Sequence, residues 1–297
     1  MKQLWMNPVL QKELKLRFRS GKSAIGMGLY TGILSLSMLS ILALMNEGQS
    51  SLVYQPDNGR VLFVMMSMFQ LGLILFVVPA LTAGVISGER ERQTLQMLLV
   101  TNQSSMSIVI GKLFASLAYM ILLVLSTAPI YAIIFLYGGL SLGEVAQTFL
   151  MYLFIMLTIG AVGLAVSALI RRTIVAIITT YAITFAFSVG TVFLTYVSMA
   201  FAEVSQQQTV WAPFIFSSLS FPLMLLEVMG VGFIDDIIIT FGHQSPGISS
   251  WLLFFSVYFM VIITGMIIAI RKLRPNMKQG KRRVRKGESG GREKSIS

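Results

Sequence analysis

Long apolar runs almost free of ionisable side chains dominate this sequence and constrain its fold more than any other feature. A helix needs about 20 mostly apolar residues to cross a bilayer. Six stretches meet that length, at about 23–45, 61–86, 108–137, 146–170, 174–202 and 251–270. Only 12% of the residues are charged and 55% are hydrophobic, against about 25% and about 45–50% in soluble domains. A net charge of +11 would by itself suggest nucleic acid or an anionic membrane surface as partner. The apolar runs decide for the membrane, and nucleic acid is not expected.

The basic residues mark the sides. No lysine or arginine falls inside a run except Lys112, near the start of the third. With the N-terminus inside, every lysine and arginine but Arg60 lies in an inner segment, as the positive-inside rule requires. The expected fold is therefore an all-α membrane protein of six spans with both termini cytoplasmic. The first run starts after Lys22 and exceeds the about 7–15 residues of a signal-peptide core, so it reads as an uncleaved anchor.

Three segments are neither span nor simple loop. Asn7-Pro8 is a good helix start, and Leu10, Leu14 and Phe18 recur on one face with Lys12, Lys15 and Arg19 opposite. Residues 1–22 thus read as an amphipathic helix on the cytoplasmic leaflet. The plainer alternative is a solvated basic lead that only sets topology. The segment 203–250 tempts a seventh span at Trp211 to Met229, but Pro213, Pro222 and Glu227 weaken it. An odd span count would also place the basic tail outside. A re-entrant pair or interfacial helix near the outer surface is expected instead, with Trp211 and Trp251 as interfacial anchors. From 273 to 297 the sequence is basic, with Gly and Ser and no apolar period. It predicts a disordered cytoplasmic tail attracted to anionic lipid by about 1 kcal/mol per cation.

The third special segment joins the second and third spans, at about 87–107. Glu89, Arg90, Glu91 and Arg92 form the densest mixed charge outside the termini. Gly88 would break the second span. Thr94 would cap a short helix carrying Leu95, Leu98 and Leu99. A polar head followed by an apolar patch suits docking into a groove of another protein. It equally suits a tight loop whose charges stay wet.

The string Ile86-Ser-Gly-Glu-Arg-Glu-Arg-Gln-Thr-Leu-Gln-Met-Leu-Leu-Val-Thr101 resembles the cytoplasmic loop of the type-2 ATP-binding-cassette (ABC) transporter permease family. The stretch Asn7 to Arg19 resembles that family's surface helix, and Ile110-Gly-Lys-Leu113 resembles the start of its third span. The family often has Gly where Gln93 stands, Glu where Gln96 stands and Pro where Asn102 stands. The resemblance implies that the loop is a coupling helix seated in a separate nucleotide-binding ATPase subunit. Glu89, Arg90, Glu91 and Arg92 would then make polar or orienting contacts, and Thr94, Leu95, Leu98 and Leu99 the packed ones. ATP and Mg would be bound by the partner, with no cofactor on this chain. A second permease copy or a related permease would complete the path, in the plasma membrane of a prokaryote, with export favoured.

Other chemistries find little support. Without cysteine and with one histidine, thiolate sites, disulfides and a Ser/His relay are poor readings. Gly21-Lys22-Ser23 has the tail of a P-loop, but Leu16 stands where its first glycine is needed and no strand precedes it. Intrinsic ATP hydrolysis is therefore not expected. Asp235-Asp236 lies outside the spans, and with His243 nearby reads as a solvated outer loop rather than a metal site. The spans carry almost no ionisable group that could couple protons. That points away from the competing class, a stand-alone carrier or channel, and a third class is a non-transporting membrane anchor. Small residues recur at Gly28 and Gly32 on the first span and at Gly160, Ala161, Gly163 and Ala165 on the fourth. They would seat helices against each other within the chain or at a dimer seam.

Overall fold

A computed structural model of the chain describes residues 21–46, 56–93, 105–205, 211–234, 236 and 249–293. The proposed surface-helix residues Leu10, Lys12, Leu14, Lys15, Phe18 and Arg19 lie outside them, as do Thr94, Leu95, Leu98, Leu99, Asp235 and His243.

All regular structure among the described residues is helical. Helix α1 is Gly21–Asn46, α2 Pro56–Thr82, α3 Ser87–Glu91, α4 Ser105–Leu125, α5 Ala128–Leu136 and α6 Leu142–Leu169. Helix α7 is Thr173–Phe185, followed by a π-helical turn at Ala186–Gly190 and α8, Thr191–Ser205. Helices α9, Trp211–Ser218, and α10, Phe221–Val228, precede α11, Ser250–Glu293.

Six stretches are long and apolar enough to cross a membrane: Ser23–Met45, Gly59–Glu91, Met106–Leu136, Leu142–Leu169, Thr173–Phe201 and Ser250–Leu273. Their ends fall close to those expected from the apolar runs. The main extension is the second span, which the expected break at Gly88 would have ended. Gly88 instead lies inside α3, and the irregular turn comes earlier, at residues 83–86. The cause is local. Pro79 has no N–H to give the helix, and a serine from α6 takes two of the freed amides, as described below.

Helix α6 is the post of the bundle. It packs against α2, α4, α7, α10 and α11. Its start is fixed by a capping box: Ser141 Oγ accepts from the Glu144 amide at 3.1 Å, and a Glu144 carboxylate oxygen accepts from the Ser141 amide at 2.9 Å. Gly138 and Gly139, at φ 80 and 78, supply the left-handed backbone that turns α5 into α6. Small residues on α6 admit its neighbours. A Cβ added at Gly160 would meet Leu113 at 3.0 Å, and one at Gly163 would meet Thr82 Oγ1 at 2.3 Å. The Ala161 carbonyl lies 3.1 Å from where a Cβ on Gly265 of α11 would stand.

The interior is apolar, with a polar seam in the middle of the bundle. Gln70 Nε2 donates to Thr127 Oγ1 at 3.3 Å, and Tyr152 donates to the Ser67 carbonyl at 2.9 Å. Thr127 sits between α4 and α5, just before Pro129, where the third span breaks as a proline there predicts.

The ambiguous segment forms two short helices, α9 and α10, bent by 83°. A single straight seventh helix is thereby absent from 211–228. Phe221 stacks on Tyr258 of α11, and the Tyr258 hydroxyl donates to the Leu219 carbonyl in the bend. The backbone of helix α11 continues beyond the sixth span to Glu293. Lys, Arg, Gln, Met and Glu are strong helix formers, and extending a helix already nucleated by the sixth span is far easier than starting one.

Candidate functional site

The charged stretch after the second span is built against the bundle. Three helices of the chain, α4, α6 and α7, receive its residues. Ser167 on α6 comes first: its Oγ accepts from the Ile86 amide at 2.9 Å and the Ser87 amide at 3.0 Å. These are amides at the start of α3, which otherwise lack an acceptor within a helix. A side chain inserted into the hydrogen-bond ladder in this way is a recognised cause of a helix bend.

Glu89 pairs with Lys112 of α4. The Lys112 side chain is 1% exposed while Glu89 keeps 24%. A cation placed about two turns inside an apolar helix is costly unless it is paired, and Glu89 supplies the opposite charge. Arg90 turns the other way. Its Nη2 donates to the Ala168 carbonyl at 3.3 Å, at the C-terminal end of α6, where the helix dipole favours a cation.

Glu91 closes the set. One carboxylate oxygen accepts from the Thr173 amide at 2.9 Å and the other from the Thr173 hydroxyl at 2.7 Å. An acidic group at the first amide of a helix satisfies an orphan donor and complements the dipole, so Glu91 is the cap of α7. Gly84 and Gly88 leave room for Thr173; a Cβ at Gly84 would meet its methyl at 3.2 Å.

Arg92 is exposed and is followed by Gln93, also exposed, at φ 57. Gln93 is the one non-glycine residue with positive φ among those described. It ends α3 in the left-handed conformation that closes many helices, and glycine is the usual occupant. This is one of the positions at which the sequence departs from the family resemblance, and the geometry explains why glycine is common there.

The expected site residues therefore divide. Glu89, Arg90 and Glu91 converge on α4, α6 and α7, and Arg92 faces outward. Thr94, Leu95, Leu98 and Leu99 lie outside the described residues. Sequence reasoning noted Lys112 as the exception to uncharged spans and as part of Ile110-Gly-Lys-Leu113, and the exception was the available clue to Glu89. Ser167 and Thr173 carried no clue, because serine and threonine dot every span.

The opposite end of α2 is anchored differently. Arg60 Nη2 donates to the carbonyls of Met229 at 3.1 Å and Gly230 at 2.9 Å, where α10 ends. Beside it, a Cβ on Gly59 would meet the Gly138 carbonyl at 2.2 Å, so the backbone of α2 rests directly on the α5–α6 turn. Among the described residues no group of three His, Cys, Asp or Glu could hold a metal ion. The arrangement offers a polar platform that ties one loop to several spans.

A family model described as ABC-2 family transporter protein matches residues 8–225. No curated protein matches the chain.

Proposed function

The chain belongs to the ABC-2 family of transporter proteins, a multi-pass membrane protein by its six apolar helices, and from that premise we propose that it is the permease subunit of an exporter driven by a separate nucleotide-binding ATPase. The observation that carries this reading is the clamp after the second span. Glu89, Arg90 and Glu91 hold the base of the loop to α4, α6 and α7. A force applied to the loop would reach three further spans without passing through side-chain slack. The loop at about 87–107 is then the docking element. Thr94, Leu95, Leu98 and Leu99 would supply packed contacts, Arg92 an exposed polar contact, and the clamp residues orientation.

In this reading ATP and Mg bind to the partner, and the chain itself catalyses nothing. The charge bias puts both termini and the docking loop in the cytoplasm of a prokaryotic cell, with the chain in the plasma membrane. The N-terminal helix lies on the inner leaflet through Leu10, Leu14 and Phe18. A second copy or a related permease completes the translocation path. Gly28 and Gly32 of α1 support such a seam, since none of the described residues lies within 4 Å of a Cβ at either position.

The test is co-purification with the ATPase encoded beside the gene, followed by ATPase measurement in lipid. Leu95→Asp with Leu98→Asp is expected to abolish complex formation. Glu91→Gln is expected to keep the complex but weaken the dependence of ATP hydrolysis on the permease. Retention of complex and activity in both variants would show that the partner docks elsewhere.

A further inference from the structure

We infer that Arg60 is a positioning residue which latches the bent pair α9–α10 to the outer end of the second span, so that movement of the loop at the inner end is delivered to that pair. The inference rests on the coupling reading above and adds its outer terminus. The second span is held at both ends, by Glu89, Arg90 and Glu91 at one and by Arg60 at the other. The stretch Gly59–Glu91 is 33 residues long, about 50 Å at the rise of an α-helix. Backbone hydrogen bonds flank its irregular turn, the Ala83 amide donating to the Pro79 carbonyl and the Gly88 amide to the Gly84 carbonyl, each at 2.9 Å, and Ser167 takes the Ile86 and Ser87 amides between them. Displacing one end therefore displaces the other.

At the outer end the connection is specific. Arg60 is the sole basic residue of the sequence outside the inner segments. It uses one guanidinium nitrogen on two successive carbonyls that finish α10. Those carbonyls carry the negative end of the helix dipole and have no intrahelical donor. Gly230 makes this possible twice over: it sits at φ +68, and a Cβ there would come within 2.9 Å of the Arg60 nitrogen. The bent pair is in turn seated on α11, through Phe221 on Tyr258 and the Tyr258 hydroxyl on the Leu219 carbonyl. An exposed cation holding backbone oxygens, unlike the buried Lys112 pair, breaks and reforms readily in water. That suits an outer element that must move in each cycle.

The chain has no cysteine, so spin labels can be placed in pairs. One pair, Met106→Cys with Ile174→Cys, reports the inner ends of α4 and α7. The other, Leu142→Cys with Ile215→Cys, reports the bent pair against α6. All four positions are exposed. Distances are read in lipid nanodiscs with the co-purified ATPase, before and after trapping with ATP and vanadate. Wild type is expected to shift at both pairs. Arg60→Gln is expected to keep the inner shift, which also shows that it is folded and coupled, and to lose most of the outer shift. Arg60→Lys, retaining a charge and donors, is expected to keep most of it. An outer shift in Arg60→Gln equal to wild type would overturn the latch. An inner shift without an outer one in wild type would overturn the transmission along α2. Absence of the inner shift in wild type would instead overturn the coupling reading beneath it.

Discussion

The first and fourth spans look alike as strings, both long apolar helices with small residues at helical spacing, but they do opposite work in the bundle. In α6 the small residues face partners: Gly160 meets α4, Gly163 meets the end of α2, and the Ala161 backbone meets α11. In α1, Gly28 and Gly32 face open space, and Ile25, Leu29 and Leu36 are exposed. The loop clamp is bolted to the first kind of helix, through Ser167 and the Ala168 carbonyl. A small residue thus acquires meaning from what stands opposite it. Motif spacing alone does not separate a closed seam from an open one.

The sharpest way to break the α6 side is to disturb the charge that seats the loop on its neighbour α4. Glu89→Gln removes the carboxylate facing a Lys112 side chain that is 1% exposed. Loss of one member of a buried pair costs about 3 kcal/mol or more, so the thermal midpoint in detergent should fall substantially. Replacing both members, by Glu89→Leu with Lys112→Met, should recover much of that loss. If the single variant melts like wild type, the pair does not hold the loop.

Next in size is Gly163→Leu. A Cβ there would already stand 2.3 Å from Thr82 Oγ1 and 3.4 Å from the Ala83 amide, so α6 and the end of α2 must separate. Overpacking of this kind costs about 1–3 kcal/mol, and hydrogen exchange should rise at Ile86 and Ser87, whose amides rely on Ser167. A smaller effect of opposite sign is expected for Gln93→Gly. At φ 57 a side chain costs about 1 kcal/mol relative to glycine, so this variant should raise the midpoint slightly. An unchanged or lower midpoint would show that the loop end is not strained.

How much of this was legible in the sequence follows from which interactions are local. The spans were legible because bilayer thickness sets their length and charge cannot enter them. The capping box at Ser141 and Glu144 and the break before Pro129 are local too. The bend between α9 and α10 was legible in part, from Pro213, Pro222 and Glu227 in an apolar stretch. The partners of the clamp were not, since Glu89 and Lys112 are 23 residues apart and Glu91 and Thr173 are 82 apart. Only the fold decides which hydroxyl of many meets a carboxylate. The break in the second span was misplaced at Gly88 for the same reason, because the serine that bends the chain comes from another helix.

The smallest effect on the single chain is expected at α1. Gly28→Leu with Gly32→Leu adds side chains at positions where no atom of the described residues lies within 4 Å of an added Cβ. The midpoint of the monomer in detergent should therefore stay within about 0.5 kcal/mol of wild type, as for substitutions away from packed features. The same pair of changes should matter if α1 forms the seam between two permeases, since small residues there let helix backbones approach and leucine would hold them apart. Crosslinking yield between copies in lipid should then fall while the fold is untouched. Matching losses of midpoint and crosslinking would place these glycines in an intramolecular seam like that of α6. Loss of crosslinking alone would keep the two helices in opposite roles, one closing the bundle and the other offering it to a partner.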